Sequence, residues 1–256
     1  MHNRFSYDEY KEIISLIQKY LPIVSFNDVI DNNLEKYCVI RHDVEYSMDR
    51  ALKLAQLEYE LKIKSTYCIQ VRNNIYNAIS DKNIEIAKQI NDLGHEIALH
   101  QDPPAGFGDY RLKGYLLQDM KTLSMYYDLP IKIFSYHRPK PEYLQKYFTV
   151  EDKINTNGNK FFHYIGGDSG IVKPEELNVT YLADSNHKWK WGDPKEVDFS
   201  KINKLQMNMH PYSWSKEGHD NLNNSIHVVK ERTQELTHSM TEIKTFPREL
   251  LKWNFS

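Results

Sequence analysis

Apolar residues recur along this chain in two alternating rhythms. Tyr10, Ile13, Ile14, Ile17, Tyr20 and Leu21 keep the three- and four-residue spacing of one helix face, and Ser6 with Glu9 has capping-box spacing just before them. A helix over residues 7–21 is expected. The run Tyr37-Cys38-Val39-Ile40 is strand-like and stops at Arg41-His42-Asp43-Val44-Glu45. Ser47 then caps a helix carrying Ala51, Leu52, Leu54, Ala55 and Leu57. Further strands are expected at 65–71, 95–100, 131–136, 161–165, 179–183 and 205–209. Further helices are expected at 81–93, closed by Gly94, at 110–127, stopped before Pro130, and at 225–240.

Short strands separated by helices or long loops predict an α/β fold with a parallel sheet, open or closed into a barrel. No linker-like shift in composition divides the chain, so one domain over residues 1–256 is expected. In such folds functional residues gather at the C-terminal ends of the strands. Those ends carry Asp43 and Glu45, His100 and Asp102, His137 and Arg138, Asp184 and Ser185, and His210. Polar residues placed there predict one site assembled from several strands.

Composition narrows the chemistry. With 33 Lys+Arg against 35 Asp+Glu, nothing points to nucleic acid as a partner. Two cysteines exclude a disulfide framework and a Cys-rich zinc site, whereas 11 histidines leave room for a nitrogen and oxygen site. Cys38 and Cys68 lie in apolar strands and read as core thiols. The N-terminus lacks a signal-peptide apolar run, and no stretch is apolar enough to span a membrane, so a cytoplasmic protein is expected.

Asp43 and Glu45 are two apart at a strand exit, so both side chains share a face. One could bind a metal while the other serves as a base; taken alone, the pair reads first as a helix-entry cap. His95 and His100 are five apart and fall on opposite strand faces, which makes His100 the ligand candidate, with Asp102 on its face. His210 fits a general acid or a ligand. Trp189 and Trp191 could stack on a sugar or cover the core.

Taken in order, Arg41-His42-Asp43-Val44-Glu45-Tyr46-Ser47, Gly94-His95-Glu96-Ile97-Ala98-Leu99-His100, His137-Arg138-Pro139, Asp184-Ser185 and His210 resemble the motifs of the polysaccharide deacetylases. This is carbohydrate esterase family 4, the NodB-homology domain. The closer likeness is to a branch with an Arg-His-Asp-Val-Asp first motif, associated with surface-polysaccharide synthesis. The likeness runs over about residues 36–215. It implies a distorted (β/α)7 TIM-like barrel and metal-dependent hydrolysis of an N- or O-acetyl group on a sugar. Residue by residue, it implies Asp43 as base, Glu45 and His100 as ligands of a divalent metal, zinc foremost, Arg138 as the arginine orienting the base, His210 as the acid and Asp184 as its holder. Ser185, Trp189 and Trp191 are expected to touch substrate.

Two departures stand out. Pro104 occupies the place of the family's second metal histidine, so a third ligand must come from elsewhere, with Asp102 or His137 nearest. Glu45 replaces the shorter Asp. The readings carried forward are a deacetylase of a nucleotide-linked or lipid-linked acetylated sugar, a non-catalytic carbohydrate-binding protein on the same fold, and a hydrolase of another small amide.

Overall fold

The computed structural model describes residues 4–102, 109–138, 150, 152–158, 160–161, 179–247 and 249. In chain order the elements are α1 (Tyr7–Gln18), β1 (Ile23–Val24), α2 (Phe26–Asp31), β2 (Tyr37–Val44), α3 (Met48–Glu60), β3 (Thr66–Ile69), α4 (Asp81–Asp92), β4 (Glu96–Gln101), α5 (Asp109–Tyr127), β5 (Ile133–Tyr136), β6 (Ile154–Asn155), β7 (Thr180–Ala183), β8 (Lys204–Met209) and α6 (Asn221–Thr241).

The helices start where the local chemistry allows. Ser6 Oγ accepts from the Glu9 backbone N–H at 3.1 Å, and the Glu9 carboxylate reaches back to the Phe5 N–H, one residue earlier than a standard capping box. Ser47 caps α3 through the Arg50 N–H. Gly94, at φ +91°, supplies the left-handed turn from α4 into β4. The last helix begins four residues before the expected 225, because Asp220 accepts from the Asn223 N–H at 2.9 Å and caps it there. The expected strand 161–165 lies outside the described residues but for Phe161, and so do Pro104 and Pro139. Apolar periodicity missed β1, α2 and β6, which are two to six residues long.

Among the described residues every strand pairing is parallel, in the order β6-β5-β4-β3-β2-β8-β7, with β1 beside the start of β2. All eight residues of β2 are buried, as expected of a strand covered on both faces. Outward-facing Ile40 and Val44 join the apolar layer under the helices, while Tyr37, Val39, Cys68, Ala98, Ile133 and Phe161 fill the concave side.

The sheet curls. β6 stands four places from β2, which in a flat sheet is about 19 Å. Yet the Arg41 guanidinium on β2 donates to Thr156 Oγ1, just past β6, at 3.2 Å, and Gln206 on β8 donates to the Thr156 carbonyl at 2.9 Å. The α/β expectation of a distorted (β/α)7 barrel therefore takes the form of a curled parallel half-barrel whose strand ends converge.

Candidate metal centre

Strand parity puts Arg41, Asp43 and Glu45 on the concave face, where β2 lies between β3 and β8. His100 reaches the same face from β4, His137 follows β5, Asp184 follows β7 and His210 follows β8. Five strand exits thus meet at one place.

Glu45, His100 and His137 each offer one donor atom, all within 4.8 Å of one another. Glu45 Oε1 stands 3.3 Å from His137 Nε2 and 3.8 Å from His100 Nε2. Two ligands about 2.1 Å from one ion at the tetrahedral angle are roughly 3.4 Å apart, so this spacing suits a shared divalent cation. The His100 ring is aimed for it: Nδ1 bonds Ser135 Oγ at 2.7 Å, leaving Nε2 buried with no protein partner. His137 is oriented the same way, its Nδ1 held by Asp102 at 3.2 Å. Of the two residues considered for the third ligand position, His137 is in the group, and Asp102 stands behind it. An imidazole and carboxylate donor set fits zinc or a similar ion.

Asp43 lies deeper. Its Oδ2 accepts from Arg41 Nη2 at 2.9 Å, and its Oδ1 is 3.5 Å from both Ser135 Oγ and His100 Nδ1. Burial alone pushes the Asp43 carboxyl up; Arg41, His100 and His210 more than reverse this and hold it below the usual carboxylate range. The guanidinium beside Asp43 is that of Arg41, two residues upstream on the same face. Arg138, expected in that place, is exposed in the left-handed region at φ 48° and makes no hydrogen bond or ion pair with a described residue. Burial also raises Glu45, but the imidazoles of His100, His137 and His210 facing it bring it far below the ordinary value.

On the other side, His210 Nδ1 meets Asp184 Oδ1 at 2.6 Å, while Asp184 Oδ2 accepts from the His210 backbone N–H and from Trp214 Nε1. Burial lowers the His210 imidazolium, yet Asp184, with Asp43 and Glu45 beyond it, carries it up to about 9. Its free Nε2 points to Glu45 Oε1 at 3.9 Å.

The expected sugar contacts are dispersed. Trp189 packs with Phe5 and Trp214 and lines a separate cleft beside Arg4 and His187; Trp191 is exposed under Lys190. Ser185 is half-buried in the turn after Asp184. The aromatic pair beside the acid is instead Tyr46 and Tyr212, with ring centroids 4.5 Å apart and Tyr212 5.9 Å from the His210 ring. Sequence reading passed over both, although each lies within two residues of a site residue. It also passed over Gln70. Asn73 accepts from the Ile75 and Tyr76 N–H groups and so turns its NH2 toward the Glu45 carbonyl and Gln70 Oε1, leaving Gln70 Nε2 a buried, unpartnered donor at the end of β3.

No protein family profile matches this chain, and no curated protein does. Solved structures similar to it include a CE4 family pseudoenzyme from Bacillus anthracis, at 11% identity and TM-score 0.41, covering 78% of this chain and 61% of that one. A family 4 carbohydrate esterase from Bacillus anthracis is similar at 12% identity and TM-score 0.41, covering 88% and 86%. An acetyl xylan esterase from Clostridium thermocellum in complex with a cobalt ion is similar at 14% identity and TM-score 0.39, covering 80% and 91%. This chain thus spans less than two thirds of the length of the pseudoenzyme.

Proposed function

We propose that this protein is a metal-dependent hydrolase that removes an acetyl group from a sugar. The observation that carries the reading is the convergence of the Glu45–His100–His137 donor group, the Arg41–Asp43 pair and the Asp184–His210 pair at one end of the sheet. These are the parts that hydrolysis of an amide or ester needs: a cation site, a carboxylate base and a charged acid. Glu45, His100 and His137 would hold the ion. A bound divalent ion supplies Lewis-acid polarisation of the acyl oxygen and a more acidic water.

The protein's own groups do the rest. Asp43 keeps Oδ2 on Arg41 and has only long contacts at Oδ1, so Oδ1 is the atom that accepts the proton of the attacking water. His210 carries a proton on Nε2 and gives it to the departing nitrogen or oxygen, with Asp184 fixing the ring from Nδ1. Tyr46 and Tyr212 form the apolar wall on which a sugar ring rests.

The substrate proposed is an acetylated saccharide carried on a nucleotide or lipid, in surface-polysaccharide synthesis in the cytoplasm. Among the described residues no helix is long and apolar enough to cross a membrane. Acetate release from acetylated amino sugars, measured on ion-loaded protein and after His210→Ala, tests the reading. A loss of about 10²-fold or more on that substitution is expected. Saccharide binding with no acetate release from any acetylated sugar, by protein carrying its ion, would instead identify a carbohydrate-binding protein on this fold.

A further inference from the structure

Helix α6 is inside out. The face it turns to the rest of the protein is mostly polar: Asn224 Oδ1 accepts from Arg50 at 2.8 Å, Glu231 pairs with Arg50, Glu235 pairs with Lys82, and Arg232 donates to the Ile75 carbonyl at 2.8 Å. Val228 is its one buried apolar side chain. The opposite face is apolar and open to solvent: Leu222 is 69% exposed, Ile226 42%, Val229 64%, Leu236 63% and Met240 39%, with Ile243 at 57% just beyond the helix. A helix normally buries its apolar stripe, so this orientation calls for a partner.

The spacing says which kind. Leu222, Ile226, Val229, Thr233, Leu236, Met240 and Ile243 follow one another by steps of 4, 3, 4, 3, 4 and 3. That is the a/d repeat of a coiled-coil seam, kept for three heptads. A helix lying on a lipid surface carries a wider apolar face, so the narrow seam favours another helix. The seam is also its own complement. Turned about a two-fold axis midway between Thr233 and Leu236, so that a positions meet d positions, Ile226 meets Ile243 of a second copy, Val229 meets Met240, and Thr233 meets Leu236. A two-fold interface requires a patch of this kind. In that arrangement Lys230 faces Thr237 and Lys244 faces Asn223, so no lysines oppose each other across the flank. The exposed side chains offer roughly 600 Å² per copy, the upper end of what a lone protein leaves bare, against ~800 Å² per partner in standard stable interfaces.

We infer that α6 pairs with α6 of a second copy of this chain as an antiparallel two-helix coiled coil, making the protein a homodimer. Sedimentation equilibrium of the full chain should give twice the 30.4 kDa chain mass. Val229→Glu with Leu236→Glu should halve that mass with far-UV circular dichroism and divalent-ion binding unchanged, since both side chains point to solvent within one copy. Orientation is read by cysteine pairing, with both native thiols buried. Val229→Cys protein mixed with Met240→Cys protein should form an interchain disulfide, whereas Val229→Cys alone should not. A monomeric wild type, whether or not it binds phosphatidylglycerol vesicles, overturns the inference, as does a double variant that stays dimeric. Val229→Cys protein that cross-links to itself overturns the antiparallel arrangement.

Discussion

Asp43 and Glu45 are two residues apart on one strand face, yet their surroundings give them different work. Glu45 sits among three imidazoles, and Asp43 sits on a guanidinium with one oxygen loosely held. That asymmetry makes Asp43→Asn informative. Turnover is expected to fall at least about 10²-fold, the usual scale for losing a general base, with ion affinity unchanged. If ion affinity falls in parallel by about 10- to 100-fold, Asp43 acts by orienting His100 instead. Asp102→Asn, which alters the group behind His137, is expected to weaken ion binding by a similar 10- to 100-fold, measured by titration calorimetry. At this scale strand-exit position and parity pointed to Asp43, Glu45, His100, His137, Asp184 and His210, and the structure brings these six to one end of the sheet. The sequence left His137 and Asp102 undivided, because telling which of the two turns a donor atom toward Glu45 and His100 needs the ring's orientation. The arginine was displaced for a related reason. Arg138 follows His137 past the end of β5, where the backbone turns into the left-handed region, whereas Arg41 shares the pleat of Asp43.

Behind β2 the elements are tied by a second buried carboxylate. Glu58 of α3, fully buried, meets His42 of β2, Tyr10 of α1 and Ser65 and Tyr67 at β3, with His95 at 3.8 Å. His95 accepts from the Ser65 N–H at Nδ1 and so donates through Nε2 to the Ala55 carbonyl, as a neutral ring. Burial raises the Glu58 carboxyl, but His42 and the Ser65 hydroxyl outweigh it and bring it down to about 2. A depressed carboxyl stabilises the fold above its unfolded value near 4.5 and loses that contribution as the pH falls toward 2. Stability of the order of 3 kcal/mol is therefore expected to vanish across that window. Urea unfolding of wild type and Glu58→Gln at pH 7 and pH 3 checks this: the variant should be less stable at pH 7, and the gap should narrow at pH 3. The sequence showed His95 turning away from His100, by counting along the strand. Glu58 carried no such sign, since a lone acid on a helix reads as solvated until the tertiary structure closes over it.

For the whole molecule, the long alternating runs showed the α/β architecture, and the segments invisible to periodicity were β1, α2 and β6, too short to display a period. The curl was equally hidden, because only side chains reaching from β2 and β8 to the residues after β6 reveal it. A donor group drawn from three separated strand ends would couple ion binding to the fold. An ion at about 100 times its dissociation constant should add about 2.7 kcal/mol and raise the melting temperature by roughly 5–10 °C, reversed by a chelator.

The most direct test of the metal centre is the ion content of the purified chain, by mass spectrometry, for wild type, Glu45→Gln, His100→Ala and His137→Ala. The geometry predicts close to one divalent ion per wild-type chain after zinc loading and removal of excess, and a loss of most of it in each variant with folding retained. A wild type that holds no ion, or variants that hold it as well as wild type does, would contradict the account.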